Sequence, residues 1–315
     1  MTIIEAIIQG AVQGLTEFLP VSSSGHLTIT QHLLGINLEG NNLFFNVMLH
    51  IGTLVAVIAF YHKLIWRLIK AFFAMIVDIF TGKFKWKTLS DDKRMVIMVI
   101  IGLIPLVLLF LPIPGTGMKL KDFVEGITDS ERNFIVVGIC LLITSLLLFI
   151  GNRCSRSTVP MKHAKSGGES GRTSMNVLDA IVVGVTQCFA TLPGISRSGS
   201  TLAAGQMRGL NKQTALDYTF ILGTPAIVAA ALLEANDALE NGFGQISADL
   251  VPILIGMVVA AVVGYAAIAL FKWLLKTDKM IIFIVYTAVV GIAVIVISII
   301  ELNSGVNLFS GKPLT

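Results

Sequence analysis

The sequence predicts an all-α integral membrane protein: six transmembrane helices plus two re-entrant helix-loop-helix hairpins, arranged as an inverted-topology repeat. Three observations predict it. Of 315 residues, 55% are apolar and 13% charged, with a mean hydropathy of +0.84, a composition far outside the range of soluble domains. The stretch from Glu5 to Gly35 recurs 174 residues later, setting Glu5-Ala6-Ile7 on Asp179-Ala180-Ile181, Gly10 on Gly184, Gln13 on Gln187, Ser22 on Ser196, Ser24 on Ser198, Gly25 on Gly199 and Gly35 on Gly209. The hydrophilic linkers, finally, alternate in charge along the chain.

The first element is a hairpin over residues 3–35. Its apolar run, Ile3 to Phe18, carries Glu5, Gln9, Gln13 and Glu17 at successive i, i+4 positions, which puts them on one stripe of a helix. Leu19-Pro20 breaks the run, and a Ser/Gly-rich loop leads into a second short run. Neither arm holds the roughly 20 apolar residues needed to cross a hydrocarbon layer of about 30 Å. Irregular backbone at that depth is tolerated only where protein buries it or it lines a watery cavity. Spans follow at 43–61, 95–111 and 133–150; the second hairpin occupies 176–209, with spans at 213–233, 250–271 and 280–300. The chain is therefore one membrane domain, 1–315, with repeat one at 1–150 and repeat two at 176–301. Arg67, Lys70 and Asp78 interrupt Leu64 to Phe80, which reads as a separate interfacial amphipathic helix. The Ser/Gly/Lys-rich stretch Asn152 to Met175 reads as a flexible surface loop.

Linker charge orients these elements. Residues 62–94 hold eight Lys/Arg against three acids, 151–176 five against one, 208–212 two against none and 272–279 three against one. Residues 1–43 hold three acids and no base, 113–132 four acids and three bases, and 234–249 four acids alone. The positive-inside rule makes the first group cytoplasmic and leaves both termini outside. An odd number of spans separates the hairpins, so the second enters from the face opposite to the first, the geometry in which sites form near the midplane between the two halves. The net charge of +4 and pI near 9.0 are thus accounted for by topology, and nucleic acid is excluded as a partner. No basic segment precedes the first apolar run, so a cleaved signal peptide is not expected. Cys140, Cys154 and Cys188 are isolated and suggest neither disulfides nor a zinc site.

The chemistry concentrates in the two loops. In Pro193-Gly-Ile-Ser196-Arg197-Ser198-Gly199-Ser200-Thr201, Arg197 is the cation that the loop assignment leaves away from a membrane surface. A cation there needs an anionic partner, either Glu17 or a ligand. Its guanidinium fork, the hydroxyls of Ser196, Ser198 and Thr201, and the amides around Gly199 suit an oxyanion, phosphate above all. The first loop supplies Ser22, Ser23, Ser24 and Gly25, followed by His26. In the aligned copies His26 falls on Ser200, Glu17 on Thr191 and Ser23 on Arg197, so one half carries acid and base and the other the cation. Gln13 either joins the site or bridges helices. Glu5 reads as solvated near the outer interface. His32, His50, His62 and His163 read as structural, and Asp179, Gln187 and Asp217 as helix-packing residues.

Gln13-x-x-x-Glu17, Phe-Leu-Pro-Val-Ser-Ser-Ser-Gly-His26 and Pro-Gly-Ile-Ser-Arg197-Ser-Gly-Ser-Thr201 together resemble the bacterial undecaprenyl-diphosphate phosphatase family, also called the bacitracin-resistance family. The resemblance covers essentially the whole chain. It implies removal of the terminal phosphate from undecaprenyl diphosphate, returning the carrier lipid to cell-wall synthesis, at an outward-open site in the plasma membrane that depends on a divalent cation. On this reading Glu17, Ser23, His26 and Arg197 are catalytic, and Ser22, Ser24, Gly25, Ser196, Ser198, Gly199 and Thr201 bind substrate. Glu17 with Gln13 would hold Mg²⁺ or Ca²⁺. Ser23 attacks with His26 as general base, or His26 activates water or is itself the nucleophile. Gln at the first acidic position of the family motif weakens a two-carboxylate mechanism here. The expected partners are the polyprenyl diphosphate and the bilayer, with a homodimer allowed. The rival class is a secondary transporter or lipid-phosphate flippase on the same inverted repeat.

Overall fold

A computed structural model describes residues 2–34, 41–109, 111, 133–157, 171–240 and 246–314, except the side chains at 41–43, 87, 230, 233–240 and 246–249. Ten α-helices and no strand occur among the described residues. They are α1 (Ile3–Phe18), α2 (Ser23–Leu34), α3 (Asn41–Phe80), α4 (Asp91–Leu108), α5 (Phe134–Ser157), α6 (Val177–Phe189), α7 (Arg197–Met207), α8 (Lys212–Glu240), α9 (Ile246–Lys276) and α10 (Ile281–Ser304). Gly35 at the end of the first predicted hairpin, the whole acidic linker 113–132, residues 241–245 of the acidic linker 234–249, and most of the linker 152–175 lie outside the described residues.

Local chemistry starts the two short first arms alike. Thr2 caps α1 in a reciprocal box with Glu5, the Glu5 amide donating to Thr2 Oγ1 at 3.2 Å and the Thr2 amide to Glu5 Oε2 at 2.8 Å. Asn176 and Asp179 repeat the box at the start of α6, with both bonds at 2.9 Å. Asp179 is fully buried and also takes Arg172 on both oxygens, at 2.9 and 3.0 Å, and Arg208 Nε at 2.9 Å. This tie holds the entry of α6 to the end of α7. At the far end of α1 the residue before Pro20 is extended, with Leu19 at φ −67°, ψ 147°, as proline demands of its predecessor.

Among the described residues, four helical stretches are long and apolar enough to cross a membrane: Phe44–Phe80, Phe134–Arg156, Leu250–Lys276 and Ile281–Ser304. The chain is a multi-pass membrane protein. α4 and α8 stand where the spans 95–111 and 213–233 are predicted, with α8 carrying Pro225 inside it. One expectation changes. Leu64 to Phe80 is not a separate interfacial helix but continues α3 beyond a bend at Tyr61 (φ −99°, ψ 15°). Neither Gly nor Pro occurs between Thr53 and Phe80, so nothing in the sequence stops the helix, and 40 residues give a rod of about 60 Å. α5 likewise runs on to Ser157, into what reads as linker.

The helices approach closely where glycines remove side chains, as in membrane bundles generally. α1 lies along α9, and a Cβ on Gly10 would stand 2.5 Å from the Gly256 carbonyl. The counterpart Gly184 of α6 meets Gly102 of α4 in the same way, at 2.3 Å from its carbonyl. α5 crosses α10 at Gly138 and Gly291, each of whose added Cβ atoms would lie 2.9 Å from the other's carbonyl oxygen. Edge-on aromatic contacts link Phe18 to Phe220 at 5.7 Å, Phe220 to Phe271 at 6.1 Å and Phe271 to Phe283 at 5.6 Å, carrying the core from α1 through α8 and α9 to α10.

Candidate active site

The two Ser/Gly loops are built on one pattern. Ser22 Oγ accepts from the Gly25 amide at 3.3 Å and Ser196 Oγ from the Gly199 amide at 3.1 Å, so each serine caps the following short helix. Ser24 Oγ lies 3.4 Å from Ser22 Oγ, and Ser198 Oγ 3.2 Å from Ser196 Oγ. Ser22 sits in the left-handed region at φ 74°. The loops also touch one another. A Cβ on Gly25 would lie 3.0 Å from Gly194 Cα, one on Gly199 would lie 3.1 Å from Pro20 Cβ, and Ser198 Oγ donates to the Leu19 carbonyl at 3.1 Å. Thr144 of α5 staples the second loop, donating to Gly194 O at 3.0 Å and accepting from the Ser196 amide at 2.9 Å.

Across this joint Arg197, the first residue of α7, forms an ion pair with Glu17 at the end of α1 through Nη2 and Oε1. The Glu17 side chain is 3% exposed and that of Arg197 25%, so the anion is buried and the cation looks into a cleft. Glu17 Oε2 accepts from Ser23 Oγ at 2.6 Å and from Gln13 Nε2 at 3.1 Å. Gln13 is fully buried, and its Oε1 has no partner. Arg197 Nη1 donates to Gly223 O of α8 at 3.4 Å. Phe18, Val57, Phe220 and Ile227 give the cleft an apolar wall.

His26 is held elsewhere. Its Nδ1 lies 2.8 Å from the Ser22 carbonyl, which can only accept, so Nδ1 carries a proton and Nε2 is the nitrogen left for chemistry. Nε2 lies 2.9 Å from Tyr286 Oη, and the two rings stack at 5.6 Å and 13°. Ser23 is bonded to Glu17 rather than to His26.

The structure therefore brings Gln13, Glu17, Ser23 and Arg197 into one bonded group, with His26 on the next turn of α2. The other expected substrate ligands are engaged by the backbone. Ser22 and Ser196 cap helices, Ser198 joins the loops, and Thr201 Oγ1 donates to the Arg197 carbonyl at 2.8 Å. Gly25 and Gly199 serve close approach, and Ser24 is exposed. Sequence reading missed Tyr286 and Gly223. Tyr286 and Gly223 lie in apolar runs with no local signal.

For a cation the hard donors at hand are the Glu17 carboxylate and the orphaned Gln13 Oε1. No cluster of three His, Cys, Asp or Glu able to hold a metal occurs among the described residues. Two oxygen donors fit Mg²⁺, which commonly completes its shell with substrate phosphate and water.

These features define a class: a multi-pass membrane protein whose buried carboxylate and cleft-facing guanidinium are brought together by two broken-helix hairpins. The chain belongs to the family described as bacitracin resistance protein BacA, whose sequence profile matches residues 6–293. It is similar to proteins named undecaprenyl-diphosphatase. That of Alkaliphilus metalliredigens is 37% identical over 300 residues, covering 95% of this chain and 100% of the relative. That of Methanosphaera stadtmanae is 37% identical over 303 residues, with 95% and 99% coverage, and that of Methanobrevibacter smithii 38% over 304 residues, with 96% and 100%.

Proposed function

We infer that this chain is an undecaprenyl-diphosphate phosphatase, a membrane hydrolase that returns undecaprenyl phosphate and inorganic phosphate from the diphosphate. The observation that carries the mechanism is the Glu17 carboxylate, which accepts at once from Ser23 Oγ and from Arg197.

Phosphoryl transfer asks mainly for positioning and neutralisation of spread negative charge. Arg197, partly exposed to the cleft, swings from Glu17 to the phosphate oxygens as the diphosphate enters. Glu17 is then free to take the Ser23 proton. Ser23 Oγ forms a bond to the terminal phosphorus while the bond from that phosphorus to the bridging oxygen breaks, and undecaprenyl phosphate leaves with that oxygen. Water next attacks the phosphorus and gives a proton to His26 Nε2 as the bond from phosphorus to Ser23 Oγ breaks; Ser23 Oγ takes back its proton from Glu17, and phosphate leaves. His26 Nε2, oriented by the Ser22 carbonyl, stands on the same helix to move a proton on either step. A divalent cation held by Glu17 and Gln13 would add neutralisation of the diphosphate.

We further propose six spans with two hairpins dipping from opposite faces, both termini outside and the cleft open to the outer side of the plasma membrane. The support is the linker charge pattern, the matched caps of α1 and α6 and the contact between the loops. The test is phosphate release from a long polyprenyl diphosphate by purified protein in detergent, with and without chelator. Release without a sealed compartment supports a hydrolase. Activity confined to vesicles supports a transporter instead. Rapid-quench trapping of phosphate on Ser23 tests the nucleophile; label on His26, or none, assigns the attack to His26 or to water.

A further inference from the structure

Many threonines in the described helices share one habit. Thr16, Thr28, Thr30, Thr186, Thr224 and Thr287 each donate their hydroxyl to the carbonyl four residues back, at 2.6 to 3.0 Å, a common solution for a hydroxyl in an apolar helix. Thr219 of α8 departs from it. The residue is 4% exposed, yet its Oγ1 has no hydrogen-bond partner. Thr219 lines the cleft together with Glu17 and Arg197. Thr219, Gly223 and Ile227 fall at i, i+4 and i+8 on α8 and share that cleft, and Gly223 already bonds Arg197 through its carbonyl.

A buried hydroxyl without a partner is destabilising, and such groups in native structures call for an explanation. Here the explanation lies in what enters the cleft. We propose that Thr219 is a phosphate-oxygen ligand of this site, its hydroxyl donating to the diphosphate headgroup that Arg197 binds. This rests on the phosphatase reading and adds α8 to the substrate-binding elements. The division of the cleft matches the substrate. Arg197 and Thr219 meet the headgroup, and Phe18, Val57, Phe220 and Ile227 offer an apolar wall for the first isoprenyl unit.

The test separates a ligand from a structural hydroxyl. Thr219→Val keeps the shape and removes the hydroxyl, and Thr219→Ser keeps the hydroxyl. Both are made in the full chain in a Ser23→Ala background, and affinity is measured in detergent for a short prenyl diphosphate, inorganic pyrophosphate and the matching prenyl alcohol. The valine variant should bind the prenyl diphosphate about 10- to 100-fold more weakly, the range for a hydrogen bond to a charged group. The serine variant should stay within about threefold of the parent, and prenyl alcohol binding should not change. Ligand-free Thr219→Val should melt at or above the parent temperature, since no internal bond is lost. Weakening that extends to pyrophosphate assigns the contact to the free headgroup as well, and weakening for the prenyl diphosphate alone assigns it to the lipid-linked headgroup. The proposal is overturned by unchanged prenyl diphosphate affinity in Thr219→Val, by equal weakening for the alcohol, or by a lowered melting temperature in the ligand-free protein. Should the parent with Ser23 intact bind prenyl diphosphate through Thr219 and release no phosphate, the phosphatase reading fails and this ligand assignment stands.

Discussion

Replacing the two members of the Glu17–Arg197 pair one at a time should give unequal losses of stability, because they are unequally buried. Arg197→Met leaves the Glu17 carboxylate, 3% exposed, with only Ser23 and Gln13. A stranded buried charge costs about 3–5 kcal/mol. Glu17→Gln keeps the shape of the side chain and leaves a guanidinium that is 25% exposed and still near Gly223 O. It can turn into the cleft and hydrate, so the loss should be about 1–2 kcal/mol. The double variant buries no unpaired charge and should be more stable than Arg197→Met alone, since neutral replacements of buried pairs are often tolerated. In thermal melts of the purified protein in detergent, Arg197→Met should fall on the order of 5–10 °C below wild type, with Glu17→Gln and the double variant between them. Both single variants should lose at least about 100-fold in phosphate release. If Glu17→Gln melts lower than Arg197→Met, or the double variant is the least stable of the three, the reasoning from burial is wrong.

Other predictions concern the scaffold and the imidazole. Gly184→Ala places a methyl group 2.3 Å from the Gly102 carbonyl, and the resulting overpacking should lower stability by about 1–3 kcal/mol; an unchanged melting temperature in detergent would falsify the close crossing of α4 and α6. Tyr286→Phe keeps the ring against His26 and removes the hydrogen bond to Nε2. The expected outcome is a roughly fivefold change in kcat with KM nearly constant, from about 1 kcal/mol of orientation, and identical kinetics would detach Tyr286 from the reaction. Asp179→Asn removes the buried charge and leaves Arg172 and Arg208, whose side chains are 33% and 32% exposed and can hydrate; a loss of about 1–2 kcal/mol is expected, read as a lower melting temperature with kcat of the surviving fold near wild type.

The stripe of Gln9, Gln13 and Glu17 is legible because helix periodicity alone places those residues on one face, and all three are buried there. The internal repeat makes the joint between the hairpins legible too, through Ser22 and Ser196, Gly25 and Gly199. What the sequence conceals is how each hydroxyl is used. Serines and threonines beside a helix start read as anion ligands, yet Ser196 and Thr201 are taken by nearby backbone groups, which compete locally for any such side chain, and Ser198 by the Leu19 carbonyl of the other hairpin. Tyr286 and Thr219 escape for the opposite reason: they sit in long apolar helices, and only the fold carries them to His26 and Arg197 from 260 residues and 22 residues away. The continuous α3 was concealed by its own charges, which mark a helix surface but do not end a helix.

Because the hairpins meet through Gly25, Gly194 and Pro20, the distance from carboxylate to guanidinium is set by the path of the main chain rather than by neighbouring side chains. Substitution can therefore revise the reactive groups without disturbing their spacing. An exchange between glutamine and glutamate at position 13 is one the framework can absorb while Glu17 keeps its place opposite Arg197.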